Sequence, residues 1–250
     1  MFFKINVPHV LEKILLYLDY ESYKTCFEVS NDWRELLTSD SYQRKAKDLF
    51  QREITEDEEK LWSAAQDGNV EKITRLLSIG LLDVNSIPKY LYTTPLMIAA
   101  LKGHKDVVNL LLNKGAEIDK GDDYDRTSLH VAATWGNLHV VELLLEGGAQ
   151  HNSRTRDGLT PLHWAAEGGH KDVVEVLIDY GTDVDIKDYH GCTPLTWAAM
   201  SGHMDTVHLL LKMGGDPNAR NLRGETPLEG ASRWGHKDVV QVLLKYARKT

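Results

Sequence analysis

Residues 160–181 read Thr160-Pro161-Leu162-His163-Trp164-Ala165-Ala166-Glu167-Gly168-Gly169-His170-Lys171-Asp172-Val173-Val174-Glu175-Val176-Leu177-Ile178-Asp179-Tyr180-Gly181. Thr160 before Pro161 suits a helix N-cap, with proline at the first helical position where its missing N–H costs nothing. The pair Ala165-Ala166 lets a short helix approach its neighbours closely. Gly169 permits a sharp reversal into a second, antiparallel helix. On that helix Val173, Val174, Val176 and Leu177 form an apolar stripe, and Gly181 ends it in the left-handed conformation.

Working outward in both directions, the same text recurs every 33 residues. Thr94-Pro95-Leu96, Thr127-Ser128-Leu129, Thr160-Pro161-Leu162, Thr193-Pro194-Leu195 and Thr226-Pro227-Leu228 follow one another without insertion. The small pairs Ala99-Ala100, Ala132-Ala133, Ala198-Ala199 and Ala231-Ser232 keep the spacing, as do the turn glycines Gly103, Gly136, Gly202 and Gly235. An earlier copy, Leu61 to Asn69, lacks the Thr-Pro start and sits 35 residues before its partner. No unit can bury its apolar faces alone, so six must stack to share a continuous core. The terminal units each expose one flank and should depart from the pattern. The first lacks Thr-Pro, and the last closes on the polar run Arg248-Lys249-Thr250.

The 33-residue period and Thr160-Pro161-Leu162-His163 resemble the ankyrin repeat. The resemblance implies an all-α fold, a curved solenoid over residues 53–250 with repeats at 56–90, 91–123, 124–156, 157–189, 190–222 and 223–250. It also implies a non-catalytic protein-binding function. In such domains the variable positions of the fingers and inner helices line a concave groove. Carried onto this chain, the partner-binding candidates are Tyr90, Tyr92, Tyr124, Arg126, Trp135, Arg156, Tyr189, Met200, Arg223, Arg233 and Trp234, with Asp123, Asp157, His190, Leu222 and Glu225 beside them. Tyr, Trp, Arg and Met are the side chains enriched at interface cores. Trp164 and Trp197 precede alanine pairs, where packing between repeats is the expected role.

Residues 1–52 do not fit the 33-residue template. Val10, Leu11, Ile14, Leu15 and Leu18 make one apolar helix face behind Pro8, Tyr23, Cys26 and Phe27 mark a second short helix, and Trp33, Leu36 and Leu37 a third. Three short helices carry more apolar side chains than they can bury among themselves, the composition of a docking module. The stretch Pro8-His9-Val10-Leu11-Glu12-Lys13-Ile14-Leu15-Leu16-Tyr17-Leu18-Asp19, followed by Cys26 to Leu36 with Trp33-Arg34, resembles the F-box. Val7 stands where the family usually has leucine, the acidic position near His9 is missing, and Tyr42 replaces a second tryptophan. The resemblance implies a three-helix module that binds the adaptor of an SCF-type (cullin–RING) ubiquitin ligase through Pro8, Leu11, Ile14, Leu15, Leu18 and Trp33. The implied partners are that adaptor, its cullin and an unidentified protein substrate, with the chain a monomer within the larger complex. The alternative is an ankyrin scaffold or inhibitor whose N-terminal helices only cap the solenoid. Between the two parts Glu53 to Lys60 is short and acidic, with Thr55 and Glu58 at capping-box spacing. Without a Gly/Ser-rich linker, a rigid junction is expected.

Composition narrows the function further. The chain has 250 residues, 42% hydrophobic and 26% charged, typical of a globular protein. Its net charge is −8, and the excess lies entirely in residues 53–250, with 21 basic and 29 acidic side chains. That balance argues against a nucleic-acid partner. No uncharged apolar run approaches the ~20 residues of a membrane span, and Glu12 and Lys13 interrupt the apolar start, so neither a membrane nor a secretory signal is expected. Cys26 and Cys192, the only cysteines, fit a reducing compartment, cytoplasm or nucleus. Eleven histidines invite a metal reading. Most recur at template positions on successive units and cannot converge on one tetrahedral site, so structural hydrogen bonding is expected of them. Asp122-Asp123 and Asp125 lack the glycine and terminal glutamate of a calcium loop. No catalytic motif, metal site or cofactor-binding pattern is present, so no enzyme activity and no cofactor are expected.

Overall fold

The computed structural model describes residues 56–78, 82–88 and 91–247. The chain divides into two compact units, Met1–Asp57 and Glu58–Thr250. The three-helix expectation for residues 1–52, the capping role of Thr55 and the rigid junction lie outside the described residues.

Among the described residues there are twelve helices and no strand. They form six antiparallel pairs: α1 (56–66) with α2 (Val70–Ser78), α3 (Pro95–Lys102) with α4 (Lys105–Asn113), α5 (Ser128–Thr134) with α6 (Leu138–Glu146), α7 (Pro161–Gly168) with α8 (Lys171–Asp179), α9 (Pro194–Ser201) with α10 (Met204–Lys212), and α11 (Pro227–Trp234) with α12 (Lys237–Ala247). Each helix from α3 onward packs on its partner and on the equivalent helix of a neighbouring pair. Helices this short are not stable alone in water, so their stability comes from stacking.

The alanine pairs are the closest points of that stack. Ala64, Ala65, Ala99, Ala100, Ala132, Ala133, Ala165, Ala166, Ala198, Ala199 and Ala231 are all fully buried. A larger side chain at any of them would force the layers apart. The second helices contribute Val107, Val108 and Leu111, and the equivalents Val140, Val141 and Leu144. At the C-terminal end Ser232 is exposed where alanine is buried in inner repeats, and α12 buries only Val239 and Leu243.

Helix boundaries follow the sequence signals. Thr94, Thr127, Thr160, Thr193 and Thr226 are N-caps in extended backbone, and proline follows four of them at the first helical position. The turn glycine Gly169 (φ 75°) and the terminating Gly181 (φ 98°) are both left-handed. A Cβ on Gly169 would also meet the His203 ring at 2.5 Å, so only glycine fits there.

The template histidines serve as hydrogen-bonding struts. At the third helical position, His130 and His163 complete reciprocal caps with Thr127 and Thr160. After the turn glycines, His104, His170 and His236 place Nε2 2.8–2.9 Å from the carbonyl oxygens of Gln66, Thr134 and Met200 in the preceding repeat. Asn137 does the same through its amide, donating to Ala100 and Leu101.

Candidate interaction surface

Between one pair and the next the chain makes a finger, and in the last four one side chain shapes the turn. Asp122 Oδ1 accepts the backbone N–H groups of Tyr124 and Arg126. One period on, Thr155 Oγ1 accepts from Leu159. Asp188 Oδ1 accepts from His190 and Cys192, and Asn221 Oδ1 from Arg223 and Glu225. Neighbouring fingers are tied by main-chain bonds, Arg156 N–H to the Tyr124 carbonyl at 3.1 Å, Tyr189 to Asp157 at 3.1 Å and Leu222 to His190 at 2.9 Å. The fingers thus hold their side chains in a fixed row.

On that row and on the ends of the first helices stand large exposed side chains. Tyr92, Tyr124, Trp135, Tyr189 and Trp234 are 60–63% exposed, and Leu222 is 79% exposed. The Tyr124 ring lies beside the Arg126 and Arg156 guanidinium groups, 5.3 and 5.9 Å from its centroid, and Arg154 lies 5.9 Å from Tyr189. These are cation–π distances. Held this way, the aromatic rings lose little freedom on binding a partner, which is what interface anchors require.

Other candidates are already engaged within the fold. Arg126 is half-buried, with Nε and an Nη each bonded to the buried Asp122 Oδ2 at 2.7 and 2.6 Å. It is first a finger strut. Arg233 is exposed and paired with Glu225, whose carboxyl it holds below the ordinary carboxylate range together with Asn221. Met200 is half-buried against Gly230, where a Cβ would come within 2.9 Å of Met200 Cγ. Arg156 and Arg223 are exposed, and Arg156 lies 3.8 Å from Asp125. Tyr90, Pro8, Leu11, Ile14, Leu15, Leu18 and Trp33 lie outside the described residues.

The structure adds residues that sequence reading passed over. Asp122 is buried and organises its turn; Asp188 plays the same part and also accepts the Trp197 indole N–H at 3.0 Å. Their signature is the series Asp122, Thr155, Asp188, Asn221 at 33-residue spacing, four side chains with an acceptor oxygen. A cavity of about 110 Å3 also opens on the first-helix face between α3 and α5, with Trp164 of α7 as one wall. Its lining mixes apolar residues such as Ile98, Leu101 and Val131 with Thr93, Arg126, His130 and Thr134, and nothing in the sequence marks the gap.

Among the described residues no group of three or more His, Cys, Asp or Glu side chains stands close enough to hold a metal. No described helix is long and apolar enough to cross a membrane. Cys192 is a free, buried thiol, its pKa pushed up by burial.

Comparison with known proteins agrees with this architecture. The family model described as ankyrin repeats (3 copies) matches residues 61–155, 147–221 and 190–250. An ankyrin repeat-containing protein of Saccharomyces cerevisiae is 40% identical over 62 residues, which is 25% of this chain and 12% of the yeast protein. Such repeats are typically protein-binding modules without catalytic activity. The chain belongs to the ankyrin-repeat family, and residues 61–250 are its repeat domain.

Proposed function

We propose that this chain is the substrate-recognition subunit of an SCF-type ubiquitin ligase. On this reading residues 1–52 dock on the adaptor through Pro8, Leu11, Ile14, Leu15, Leu18 and Trp33, and the finger and first-helix face holds a protein substrate. The chain breaks no bond itself. It raises the effective concentration of a substrate lysine near the ligase-bound ubiquitin conjugate. The observation that carries the reading is the F-box-like run Pro8 to Asp19 with Trp33-Arg34, followed without a Gly/Ser-rich stretch by an ankyrin domain. The exposed Tyr92, Tyr124, Trp135, Tyr189 and Trp234 supply the anchors that a substrate-binding face needs.

The test is co-purification. Leu15→Asp together with Leu18→Asp places two charges on the apolar stripe that would bury against the adaptor. The double variant should lose adaptor and cullin from the pull-down while the repeat domain melts unchanged. Retention of cullin rejects the ligase assignment and leaves an ankyrin binding protein.

A further inference from the structure

The last three fingers carry a row of cations. Arg154, Lys187 and Arg220 occupy one position of the repeat, 33 residues apart, and all three are exposed. Arg154 Nη1 donates to the Gly158 carbonyl of its own finger at 2.8 Å and to the Lys187 carbonyl of the next at 2.9 Å. Lys187 Nζ donates to the Arg220 carbonyl at 3.3 Å, and Arg220 Nη1 donates to the Gly224 carbonyl. Each cation is seated against finger backbone, and the first two each reach the following finger, so the three form a continuous ladder.

That seating leaves their recognition edges open. A guanidinium holds five N–H donors in a fixed fork, yet only Nη1 of Arg154 and of Arg220 makes a hydrogen bond among the described residues. The Nε and Nη2 edge, which Arg126 turns on the Asp122 carboxylate, is unused on both. No carboxylate among the described residues forms an ion pair with Arg154, Lys187 or Arg220.

Local charge runs against that of the whole molecule. Residues 153–159, 186–192 and 219–225 carry five Arg or Lys and three Asp or Glu side chains, in a chain of net charge −8. Of the three acids, Asp188 is buried and Glu225 is paired with Arg233, which leaves Asp157 exposed. Asp185, two residues before Lys187, takes the Asp216 N–H on its two oxygens at 3.0 and 3.2 Å. Apolar groups stand beside the ladder. Arg154 lies 5.9 Å from the centroid of the Tyr189 ring, and the exposed Leu222 holds the same repeat position as Tyr189.

Open guanidinium edges complement carboxylates, which they bind in bidentate fashion. Spacing sets the register. Packed helices lie about 8–10 Å apart and an extended chain advances about 3.3 Å per residue, so one repeat matches about three residues of such a chain.

We propose that the ladder binds an acidic, extended protein segment running across the fingers. Asp or Glu at every third position meets Arg154, Lys187 and Arg220, and apolar side chains between them lie against Tyr189 and Leu222. The net negative charge of the domain repels a long polyanion, which favours a protein segment over a nucleic acid. The proposal rests on the reading of the finger face as the substrate-binding surface and adds the class of segment it recognises.

The test is random-peptide display on the purified full chain, followed by fluorescence polarisation with synthesised copies of the enriched peptides. The enriched sequences should carry Asp or Glu at three-residue spacing, and raising salt from about 50 to about 300 mM should weaken them severalfold. Arg154→Gln with Arg220→Gln should weaken them about tenfold. Arg154→Lys with Arg220→Lys, which keeps the charge and loses the fork, should fall between. Circular dichroism checks each fold, and Lys187→Gln tests the same ladder if the double glutamine variant melts early. Acidic peptides that bind these glutamine variants as tightly as wild type, or enriched peptides without acidic residues, overturn the proposal. If such peptides lose affinity on Trp135→Ala with Trp234→Ala, the face remains a protein-binding surface. A single-stranded oligothymidylate that binds more tightly than the peptides, and is released by the same glutamine variants, overturns it in favour of a nucleic acid. No enriched peptide at all overturns both the ladder and the binding face.

Discussion

The imidazole of His163 and the main-chain carbonyl of Cys192, 29 residues on, join two repeats through an Nε2···O distance of 3.2 Å. On the other side of the ring Nδ1 accepts the Thr160 N–H at 3.1 Å, so the proton sits on Nε2 and the imidazole is neutral. His130 repeats the arrangement one unit earlier, with Thr127 and the Leu159 carbonyl. Protonating Nδ1 would set two donors against each other in a site that water does not reach.

That geometry makes folding pH-dependent. Burial pushes both histidines down from 6.5 to about 4, outweighing the carbonyl contacts and nearby carboxylates that favour the charged form. Above pH 6.5 the unfolded chain is neutral at these positions and nothing is lost. Between pH 6.5 and 4 the unfolded state takes up protons that the folded state refuses, so stability falls as pH falls, by up to about 3 kcal/mol per histidine, and levels off below 4. Urea midpoints measured from pH 7 to 5 should show the decline. Thr196 caps α9 in the same way through its hydroxyl, so His130→Thr with His163→Thr should keep the caps and flatten the profile.

Asp188 holds three donors at once: two backbone N–H groups on Oδ1 and the Trp197 indole on Oδ2. Asp188→Ala orphans all three and should cost about 2–4 kcal/mol by urea denaturation. Thr155→Ala releases one backbone N–H and should cost distinctly less.

At the fingertips, Tyr92 (φ 56°) and Asp125 (φ 59°) occupy the left-handed position that Gly158, Gly191 and Gly224 fill in later repeats. Tyr92→Gly should therefore stabilise the fold by about 1 kcal/mol in thermal melts, since the left-handed conformation disfavours a side chain. The same change should weaken substrate recovery, because it removes an exposed aromatic anchor. A rise in stability without loss of binding would make Tyr92 a bystander.

Gly158 and Gly224 separate steric from conformational cost. Both have positive φ, but a Cβ on Gly158 would lie 2.5 Å from the Tyr189 ring, whereas nothing stands within 4 Å at Gly224. Gly224→Ala should cost about 1 kcal/mol and Gly158→Ala about 2–3 kcal/mol. Equal losses would mean that the Tyr189 ring and its main chain both shift at little cost.

Trp135→Ala with Trp234→Ala should leave the melting temperature nearly unchanged, because exposed substitutions rarely move stability by more than about 0.5 kcal/mol. Affinity purification should nevertheless recover less substrate. Unchanged recovery would remove both tryptophans from the binding face.

The sequence by itself determined the repeat, its caps and its core. Thr-Pro, Ala-Ala and glycine at fixed spacing act through local backbone preferences and through a packing distance identical in every layer, so each copy reports the same rule. The roles of His130 and His163 as struts were legible for the same reason. What only the tertiary structure decided depends on contacts between different copies. Asp122 looks like surface charge until its turn closes around it, Arg126 looks free until Asp122 claims it, and Met200 looks exposed until Gly230 leaves it room. The Trp164 donor finds no partner among the described residues where the next repeat supplies Asp188 to Trp197, and Ile98, Val131 and Trp164 of successive repeats meet around one cavity. Such features arise from the differences between neighbouring repeats, and stacking is what brings those differences into contact.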